Sequence, residues 1–260
     1  MAENFSISLP IQGTAVTGIA LGNSQHQGMR PYQEDSFGYS SIEQSDIDGN
    51  GLVAVVSDGM GGLSCGDKVS RYAVLAAKGI FSAANAEPVH IRFINSINSI
   101  STEVVQNYSG GGATLSAVYC TSQGIYWCST GDSRIYLCRN GRLYQLTHDF
   151  DYADRLLDRV IDGELSFDEA DDDPKKDSLA EYIGSGEILH PDVNIKPFLP
   201  EIGDKLLLCS DGVYNALSEN ELLIQLVKKA QHCADGIVAA VLNKGYENQD
   251  NFTSVILEFI

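Results

Sequence analysis

The sequence predicts an α+β protein with antiparallel sheets, because strand-like and helix-like segments come in separate blocks. Two helical segments follow one another in the first half of the chain, and a series of short β-branched and aromatic segments comes after them. A doubly wound parallel sheet would instead alternate strand and helix along the chain.

The first half begins with a short apolar strand and continues with two helices. Residues 52–57 (LVAVVS) are an uninterrupted apolar run that predicts a buried strand. Helices are predicted at 66–81 and 88–107. In the second helix, apolar residues recur at steps of four, three and four, which places them on one face: Phe93, Ile97, Ile100 and Val104. We expect that face to belong to the core.

The middle of the chain predicts an antiparallel meander of four strands, at 114–120, 125–130, 134–139 and 143–147. Their joints are short: Ser-Gln-Gly, Gly-Asp-Ser and Asn140-Gly141. The last is a strong hairpin signal, because both positions tolerate positive φ. Further strands are predicted at 204–210 and 252–259, and helices between them at 218–231 and 234–247.

Residues 148–190 are rich in charge and poor in strand signal. We predict one or two short helices and an exposed loop there, which is either a solvated acidic insertion or a mobile flap beside an active site. Nothing between the motifs resembles a linker, so residues 1–260 are expected to form a single domain with this flap-like insertion.

Composition excludes several classes of protein. With 43% hydrophobic residues the chain can build a core, and its net charge of −18 argues against nucleic acid or an anionic membrane surface as partner. The six cysteines show neither zinc spacing nor a C-x-x-C pair, which favours a reducing compartment. There is no apolar run of membrane-spanning length and no signal-peptide pattern, so we expect a cytoplasmic protein.

Acidic residues follow strands or turns at five places in the chain. They are Asp58 after LVAVVS, Asp132 in STGDSR, Asp211 after LLLCS, Asp250 in NQDNFTSVIL, and the pair Glu34-Asp35 in MRPYQEDSF. Buried carboxylates are costly unless they are paired or bind metal, and 17 basic residues cannot neutralise 35 acidic ones. If these acids converge, they indicate a site for hard divalent cations, which take oxygen ligands.

Glycine follows two of these acids directly, as Asp58-Gly59 and Asp211-Gly212, and Gly61-Gly62 come shortly afterwards. A backbone without Cβ can approach an ion closely and offer its carbonyl oxygen. An ordinary turn is the alternative for either Asp-Gly pair alone. Two copies of an apolar run followed by Ser-Asp-Gly favour the cation site.

Six motifs, in order along nearly the whole chain, resemble those of the metal-dependent serine/threonine protein phosphatases of type 2C. They are MRPYQEDSF (29–37), VVSDGMGG (55–62), GGATLSAVYC (111–120), STGDSRIYL (129–137), LLLCSDGVYNAL (206–217) and DNFTSVIL (250–257). The resemblance implies a central sandwich of two antiparallel β-sheets flanked by helices on both outer faces, which agrees with the blockwise pattern.

The resemblance also implies two Mn²⁺ or Mg²⁺ ions and their ligands. Asp58 would bridge the ions, and Asp211 and Asp250 would complete the first site. Glu34, directly or through water, and the carbonyl of Gly59 would serve the second.

Three further residues have implied roles. Asp132 would help to hold a third, weaker ion, Asp35 would hold metal-bound water, and Arg30 would bind the substrate phosphate through its planar fork. For Arg30 the residues themselves leave an alternative open, a surface ion pair with Glu34 or Asp35.

The implied reaction is hydrolysis of phosphoserine and phosphothreonine on proteins without a phosphoenzyme. By the same resemblance, two cations about 3.5–4 Å apart would share a water and lower its pKa, and a hydroxide bridging them would attack phosphorus. Phosphorylated proteins and a cognate serine/threonine kinase are the implied partners, and a monomer is expected. The alternatives are a catalytically weak or silent phosphoprotein-binding regulatory domain and a hydrolase of small phosphoesters; no nucleotide-cradling G-x-x-x-x-G-K-[ST] loop supports the latter.

Two features depart from the family pattern. Met60 stands where many eukaryotic members carry a histidine thought to protonate the leaving alcohol, although bacterial members often share the methionine. Methionine cannot donate a proton, so metal-bound water is the candidate acid. AEYIGSG (180–186) matches only loosely the stretch that follows the flap of bacterial members. The five histidines lack ligand-like spacing, and His148 is the one beside the flap.

Overall fold

The computed structural model describes residues 5–40, 51–60, 65–82, 87–149, 151–176 and 178–260. Gly61 and Gly62 of the VVSDGMGG motif lie outside these ranges. The six cysteines are free thiols. None of the described helices is long and apolar enough to cross a membrane.

The described strands form two sheets in which every pairing is antiparallel. The six-stranded sheet, in spatial order β1-β2-β11-β10-β7-β8, consists of β1 (Phe5–Ser8), β2 (Gly18–His26), β7 (Arg134–Arg139), β8 (Arg142–Gln145), β10 (Lys205–Cys209) and β11 (Phe252–Phe259). The five-stranded sheet, in spatial order β3-β4-β5-β6-β9, consists of β3 (Ser36–Tyr39), β4 (Leu52–Ser57), β5 (Leu115–Thr121), β6 (Gly124–Thr130) and β9 (Asp192–Val193).

The described helices fall into two outer layers and a peripheral group. In chain order they are α1 (Gly66–Ser82), α2 (Val89–Asn107), α3 (Tyr152–Ile161), α4 (Phe167–Asp171), α5 (Asp211–Tyr214), α6 (Glu219–Leu226) and α7 (Ala230–Leu242). Helices α1 and α2 pack on the five-stranded sheet, and α6 and α7 pack on the six-stranded sheet. Helices α3 and α4 are the two short helices expected in the charge-rich segment.

The core lies in three layers, one between the sheets and one beneath each pair of helices. Leu52 and Val56 of β4 face the other sheet, where they share a cluster with Leu208 of β10. Val53 faces the opposite way and packs with Phe93 of α2. Because β4 is buried on both faces, its run is apolar throughout. The predicted four-layer fold is confirmed, and so is the buried face of α2.

The predicted meander over 114–147 is wrong as a single unit. Strands β5 and β6 pair in the five-stranded sheet, whereas β7 and β8 pair in the six-stranded one. The joint Gly131-Asp132-Ser133 therefore crosses from one sheet to the other and is no hairpin. Gly131 has φ +91°, a conformation that glycine tolerates. The hairpin predicted at Asn140-Gly141 is present, with positive φ at both residues.

The remaining differences concern element ends and short strands. The helix predicted at 218–231 ends at Leu226, and the next begins at Ala230 instead of 234. Ser218 starts the first of these helices with a capping box, in which its side chain and that of Glu221 bond each other's backbone N–H. Strands β1, β2, β3 and β9 carry weak or short apolar patterns and were not predicted.

Candidate active site

One end of the sandwich brings together strand ends from both sheets. In the five-stranded sheet, Ser57 at the end of β4 pairs with Ser36 at the start of β3. In the six-stranded sheet, Cys209 at the end of β10 pairs with Ser254 of β11 and with Arg134 at the start of β7. Antiparallel neighbours run in opposite directions, so the residues that follow one strand meet those that precede the next. The predicted acidic residues lie at these junctions.

A cavity of about 240 Å³ opens at this end of the molecule. Most of the predicted site residues line it: Arg30, Glu34, Asp58, Gly59, Asp132, Asp211 and Asp250. Asp35 lies behind them, 4% exposed, and its charge is close enough to Asp58 to raise the pKa of that carboxyl. The rest of the lining comes from Met60, Thr114, Ser178, Leu179 and Asn251. The structure thus brings together every predicted site residue.

Thr114 forms hydrogen bonds with both backbone groups of Asp58, its N–H and its carbonyl. Its Oγ1 accepts a hydrogen bond from the Asp58 N–H at 2.9 Å, and its own N–H donates to the Asp58 carbonyl at 2.8 Å. The same hydroxyl shares a 2.6 Å hydrogen bond with Ser133, the residue after Asp132. Thr114 therefore links the segments that carry these two acids. Thr114 lies in the stretch GGATLSAVYC, but nothing in the sequence predicts this role for it.

A second group of hydroxyls holds Asp35. Its Oδ2 accepts hydrogen bonds from Ser210 and Thr253, each at 2.7 Å. Oδ1 of Asp35 is buried and has no hydrogen-bond partner among the described residues. One oxygen is therefore fixed by the protein, and the other is available to a bound group. The serine of the other Ser-Asp-Gly, Ser57, also bonds within the site: its hydroxyl donates to the carbonyl of Thr114 at 2.6 Å.

Asn251 ties the loop that carries Arg30 to the start of β11. Its Oδ1 accepts from the Glu34 N–H at 2.7 Å, and its Nδ2 donates to the carbonyls of Gln27 and Tyr32 at 2.7 and 3.0 Å. The side chain thus satisfies three backbone groups of a loop without regular structure. No pattern in the sequence around Asn251 predicts this role.

The two Asp-Gly glycines are required by close packing. A Cβ on Gly59 would lie 2.4 Å from the carbonyl oxygen of Gly66 and 2.6 Å from that of Glu34. A Cβ on Gly212 would lie 2.1 Å from the carbonyl oxygen of Asn251. These contacts are with backbone, which cannot move aside as a flexible side chain would. Both positions therefore exclude any side chain.

Arg30 forms an ion pair at the mouth of the cavity. Its Nη2 lies 2.5 Å from Oδ2 of Asp250, and the two side chains are 48% and 36% exposed. The alternative foreseen for Arg30, an ion pair with Glu34 or Asp35, is therefore replaced by a pair with a different acid. Half-exposed, the guanidinium keeps other N–H donors for a second anion.

Burial and mutual repulsion raise the pKa values of these acids. Burial raises the pKa of Asp58 well above its usual range, and the neighbouring carboxylates raise it further. Burial raises the pKa of Asp35 to about 6, although Ser210 and Thr253 oppose the shift, and that of Asp132 to about 7. Burial, and then the charge of Asp250, raises the pKa of Asp211. Charged together, the acids destabilise the fold unless a cation joins them.

The donor set fits hard divalent cations. Carboxylates and a backbone carbonyl supply only oxygen ligands, which suit Mg²⁺ and Mn²⁺. The buried, unpaired Oδ1 of Asp35 points to a further polar group at the site. Among the described residues, no three His, Cys, Asp or Glu side chains already surround one point as ligands. The acids therefore line a common cavity without forming a finished coordination sphere.

The end of the flap-like segment is attached behind the site. Ile183, within AEYIGSG, forms two backbone hydrogen bonds with Ala113, at 2.8 and 3.0 Å, and Ala113 also bridges to Gly59. Ser178 and Leu179 of the same segment reach the cavity wall. The loosely matching stretch is thus hydrogen-bonded to Ala113, the residue whose backbone also pairs with Gly59.

The chain is similar to known proteins over most of its length. A family model described as Protein phosphatase 2C matches residues 24–244. The chain is 31% identical over 240 residues to the serine/threonine phosphatase stp of Listeria monocytogenes, an alignment that covers 88% of this chain and 91% of the relative.

Solved structures share the fold. The serine/threonine phosphatase of S. agalactiae has a TM-score of 0.74 at 24% identity, over 93% of this chain and 100% of that one. The catalytic domain of the phosphatase PstP, solved with two manganese ions, has a TM-score of 0.67 at 22% identity, over 93% and 98%. At these identities the two structures bear on the fold alone.

Proposed function

The chain belongs to the protein phosphatase 2C family of hydrolases, and we propose that it hydrolyses phosphoserine and phosphothreonine residues of proteins at this cavity. The observation that carries the proposal is the convergence of six acidic side chains and one arginine at one end of the sandwich. They come from segments as distant as Arg30 and Asp250, as the family pattern implies. All the expected carboxylates are present, which favours catalysis over a silent phosphoprotein-binding domain.

We propose that the cavity holds two divalent cations, Mn²⁺ or Mg²⁺, through oxygen atoms. The ligand positions are Glu34, Asp58, Gly59, Asp211 and Asp250. Asp132 would help to hold a third, weaker ion. When bound, such ions lower the pKa of a water and offset charge on the phosphoryl oxygens. The repulsion among the buried acids supports this assignment, because captured cations would relieve it.

Arg30 would orient the phosphate. Its guanidinium lies at the mouth of the cavity and is half-exposed, so a phosphoryl group can reach it. The planar fork can donate two parallel hydrogen bonds to phosphoryl oxygens. Its present partner, Asp250, is itself a proposed cation ligand, so binding of a cation would free the guanidinium for the substrate.

Water is the proposed nucleophile. The hydroxyls in the cavity lining are engaged: Thr114 accepts from Asp58 and shares a hydrogen bond with Ser133, and Ser178 donates to the carbonyl of Lys175. Asp35 would hold a water of the cation site through its buried, unpaired Oδ1. The thioether of Met60 cannot protonate the leaving alkoxide, which takes its proton from water.

We further propose that residues 1–260 act as a single catalytic domain, monomeric and cytoplasmic, that removes phosphate added by a cognate serine/threonine kinase. Six free thiols suit a reducing compartment. The net charge of −18 disfavours competing nucleic-acid partners.

Phosphate release from a phosphothreonine peptide and from p-nitrophenyl phosphate, with Mn²⁺, with Mg²⁺ and with EDTA, tests this proposal. Peptide hydrolysis is expected with Mn²⁺ and is expected to stop in EDTA. Turnover that survives chelation would overturn the cation assignment. Peptide binding without release under either metal would identify a binding domain. A preference for small phosphoesters over all phosphopeptides would identify a different hydrolase.

A further inference from the structure

A second cavity, of about 480 Å³, lies at the end of β10 opposite the active site. Strand β10 begins at Lys205 in this cavity and ends beside Asp211 in the other. The walls of this second cavity come from β7, the β7–β8 turn, the start of β10 and helix α6. The volume lies within the range of about 300–1,000 Å³ that is usual for small-ligand pockets.

Helix α6 presents more apolar surface than the fold uses. Leu222 and Leu226 are buried against the six-stranded sheet and hold the helix in place. Leu223, Ile224 and Val227 line the cavity, and Ile224 and Val227 are 62% and 79% exposed. A surface helix needs one apolar stripe, so this second stripe is not explained by packing on the sheet.

One basic residue, Lys205, lies in the wall of this largely apolar cavity. Lys205 is 7% exposed, and its Nζ lies 3.5 Å from Oε1 of Glu258, beyond the usual length of an N–H···O hydrogen bond. Nζ of Lys229 lies 3.8 Å from the same oxygen, while Oε2 of Glu258 accepts from the Ala230 N–H at 2.9 Å. Two ammonium groups thus share one carboxylate, and among the described residues neither forms an ion pair with any other acid.

We propose that this cavity binds a small amphipathic acid, an unbranched aliphatic chain with a carboxylate head. The head would take a hydrogen bond from Lys205, whose ammonium has three donors and one long ion pair to Glu258. The chain would lie against Leu223, Ile224 and Val227 and remove them from water. The site is separate from the catalytic cavity, so the proposal does not depend on the phosphatase assignment.

Titration calorimetry with decanoate, held below its micelle concentration, and with decanol tests this site on the full chain. Decanoate is expected to bind one per chain, and decanol, which has the same alkyl chain without the charge, at least about tenfold more weakly. Failure of decanoate to bind saturably, or equal binding of decanol, would overturn the proposal.

Two substitutions test whether decanoate binds in this cavity. Ile224→Asn removes exposed apolar surface only and is expected to weaken decanoate binding at least about fivefold. Ile161→Asn is the matched control, because Ile161 is 73% exposed at the end of α3 and lies outside the cavity; its affinity is expected to equal that of the original chain. Equal affinities of the Ile224 variant and the original chain would place the ligand elsewhere and sink the assignment.

Lys205→Met tests the head group. The variant is expected to bind decanoate no better than decanol. Should this variant fail to fold, the backbone amide NMR shifts of the original chain test whether decanoate binds in this cavity. Addition of decanoate is expected to move the signals of Gly141, Gly203 and Val227, and shifts confined to other regions would refute the site. A dimer that Ile224→Asn dissociates would replace the small acid by a second copy of the chain.

Discussion

The hydroxyl of Ser210 donates a 2.7 Å hydrogen bond to Oδ2 of Asp35, although 175 residues separate the two. Ser210 follows β10 in the six-stranded sheet, and Asp35 precedes β3 in the five-stranded sheet. The bond therefore ties the two sheets together beside the candidate active site. Both groups are buried, so each needs the other as a partner.

Ser210→Ala should destabilise the protein by about 1–3 kcal/mol, because the buried carboxylate of Asp35 would lose one of its two hydrogen-bond donors. Phosphatase activity should also fall, since Asp35 would lose part of its orientation. Urea unfolding and steady-state kinetics measure the two effects. Ser122→Ala, in the exposed β5–β6 turn, is the control and should change neither quantity. A Ser210 variant as stable and active as the original chain would refute a positioning role.

Arg30→Ala should lower kcat/KM for a phosphopeptide about 100-fold or more, because two hydrogen bonds to a charged group are each worth about 1.5–3 kcal/mol. Arg30→Lys keeps the charge and loses the planar fork. Its kcat/KM should therefore lie between that of the original chain and that of Arg30→Ala. Stability should change by less than about 1 kcal/mol, since the pair with Asp250 is half-exposed.

Arg142→Ala on the exposed strand β8 is the control for the loss of an arginine, and its kinetics should match those of the original chain. Kinetics of Arg30→Ala indistinguishable from this control would remove Arg30 from phosphate binding.

Asp58→Asn should reduce kcat about 10³-fold or more, because stabilisation of transition-state charge at such sites is worth several kcal/mol. In EDTA the same variant should be more stable than the original chain, since burial and neighbouring acids disfavour a charge at this position. Each kcal/mol should raise Tm by about 2–4 °C.

Thermal denaturation with and without Mn²⁺ separates these effects. Mn²⁺ should raise the Tm of the original chain and leave that of Asp58→Asn nearly unchanged, because a ligand that binds the folded state stabilises it. Equal Mn²⁺-induced shifts in the two proteins would show that Asp58 does not hold the ion.

Gly59→Ala should abolish activity and destabilise the fold, because its Cβ would lie 2.4 Å from the backbone carbonyl of Gly66. Gly79→Ala is the matched control, and it is expected to change the stability of the fold in the opposite direction. Gly79 lies within α1, and a Cβ there would meet no atom within 4 Å. This control should gain about 0.5–1 kcal/mol from the lower entropy of the unfolded chain. If urea unfolding showed Gly59→Ala to be more stable than Gly79→Ala, the close contact between Gly59 and the backbone of Gly66 would be contradicted.

Elements with strong local signals were predicted well. Strand β4 and helices α1 and α2 lie where apolar runs and helical spacing placed them, and the Asn140-Gly141 turn follows from its tolerance of positive φ. Strand β9, with two residues, gave no pattern to detect. The joint Gly131-Asp132-Ser133 was misassigned to a hairpin, because local pattern does not identify the sheet that a strand joins.

The site was predicted less evenly than the fold. Asp58 and Asp211 stand out because each ends an apolar run and precedes glycine. Thr114 and Asn251 carry no such signal, because what they do depends on partners in other segments: Asp58 for the first, Gln27 and Glu34 for the second.

The amino-acid sequence by itself determined, to within one residue, where β4 and β10 end and that an acid follows each of them, because both features depend on neighbouring residues. Only the tertiary structure decided that these acids meet. Antiparallel pairing in two stacked sheets brings the ends of β4 and β10 and the starts of β3 and β11 to one edge. That long-range arrangement, and no local property of Asp58 or Asp250, turns scattered carboxylates into one charged cavity.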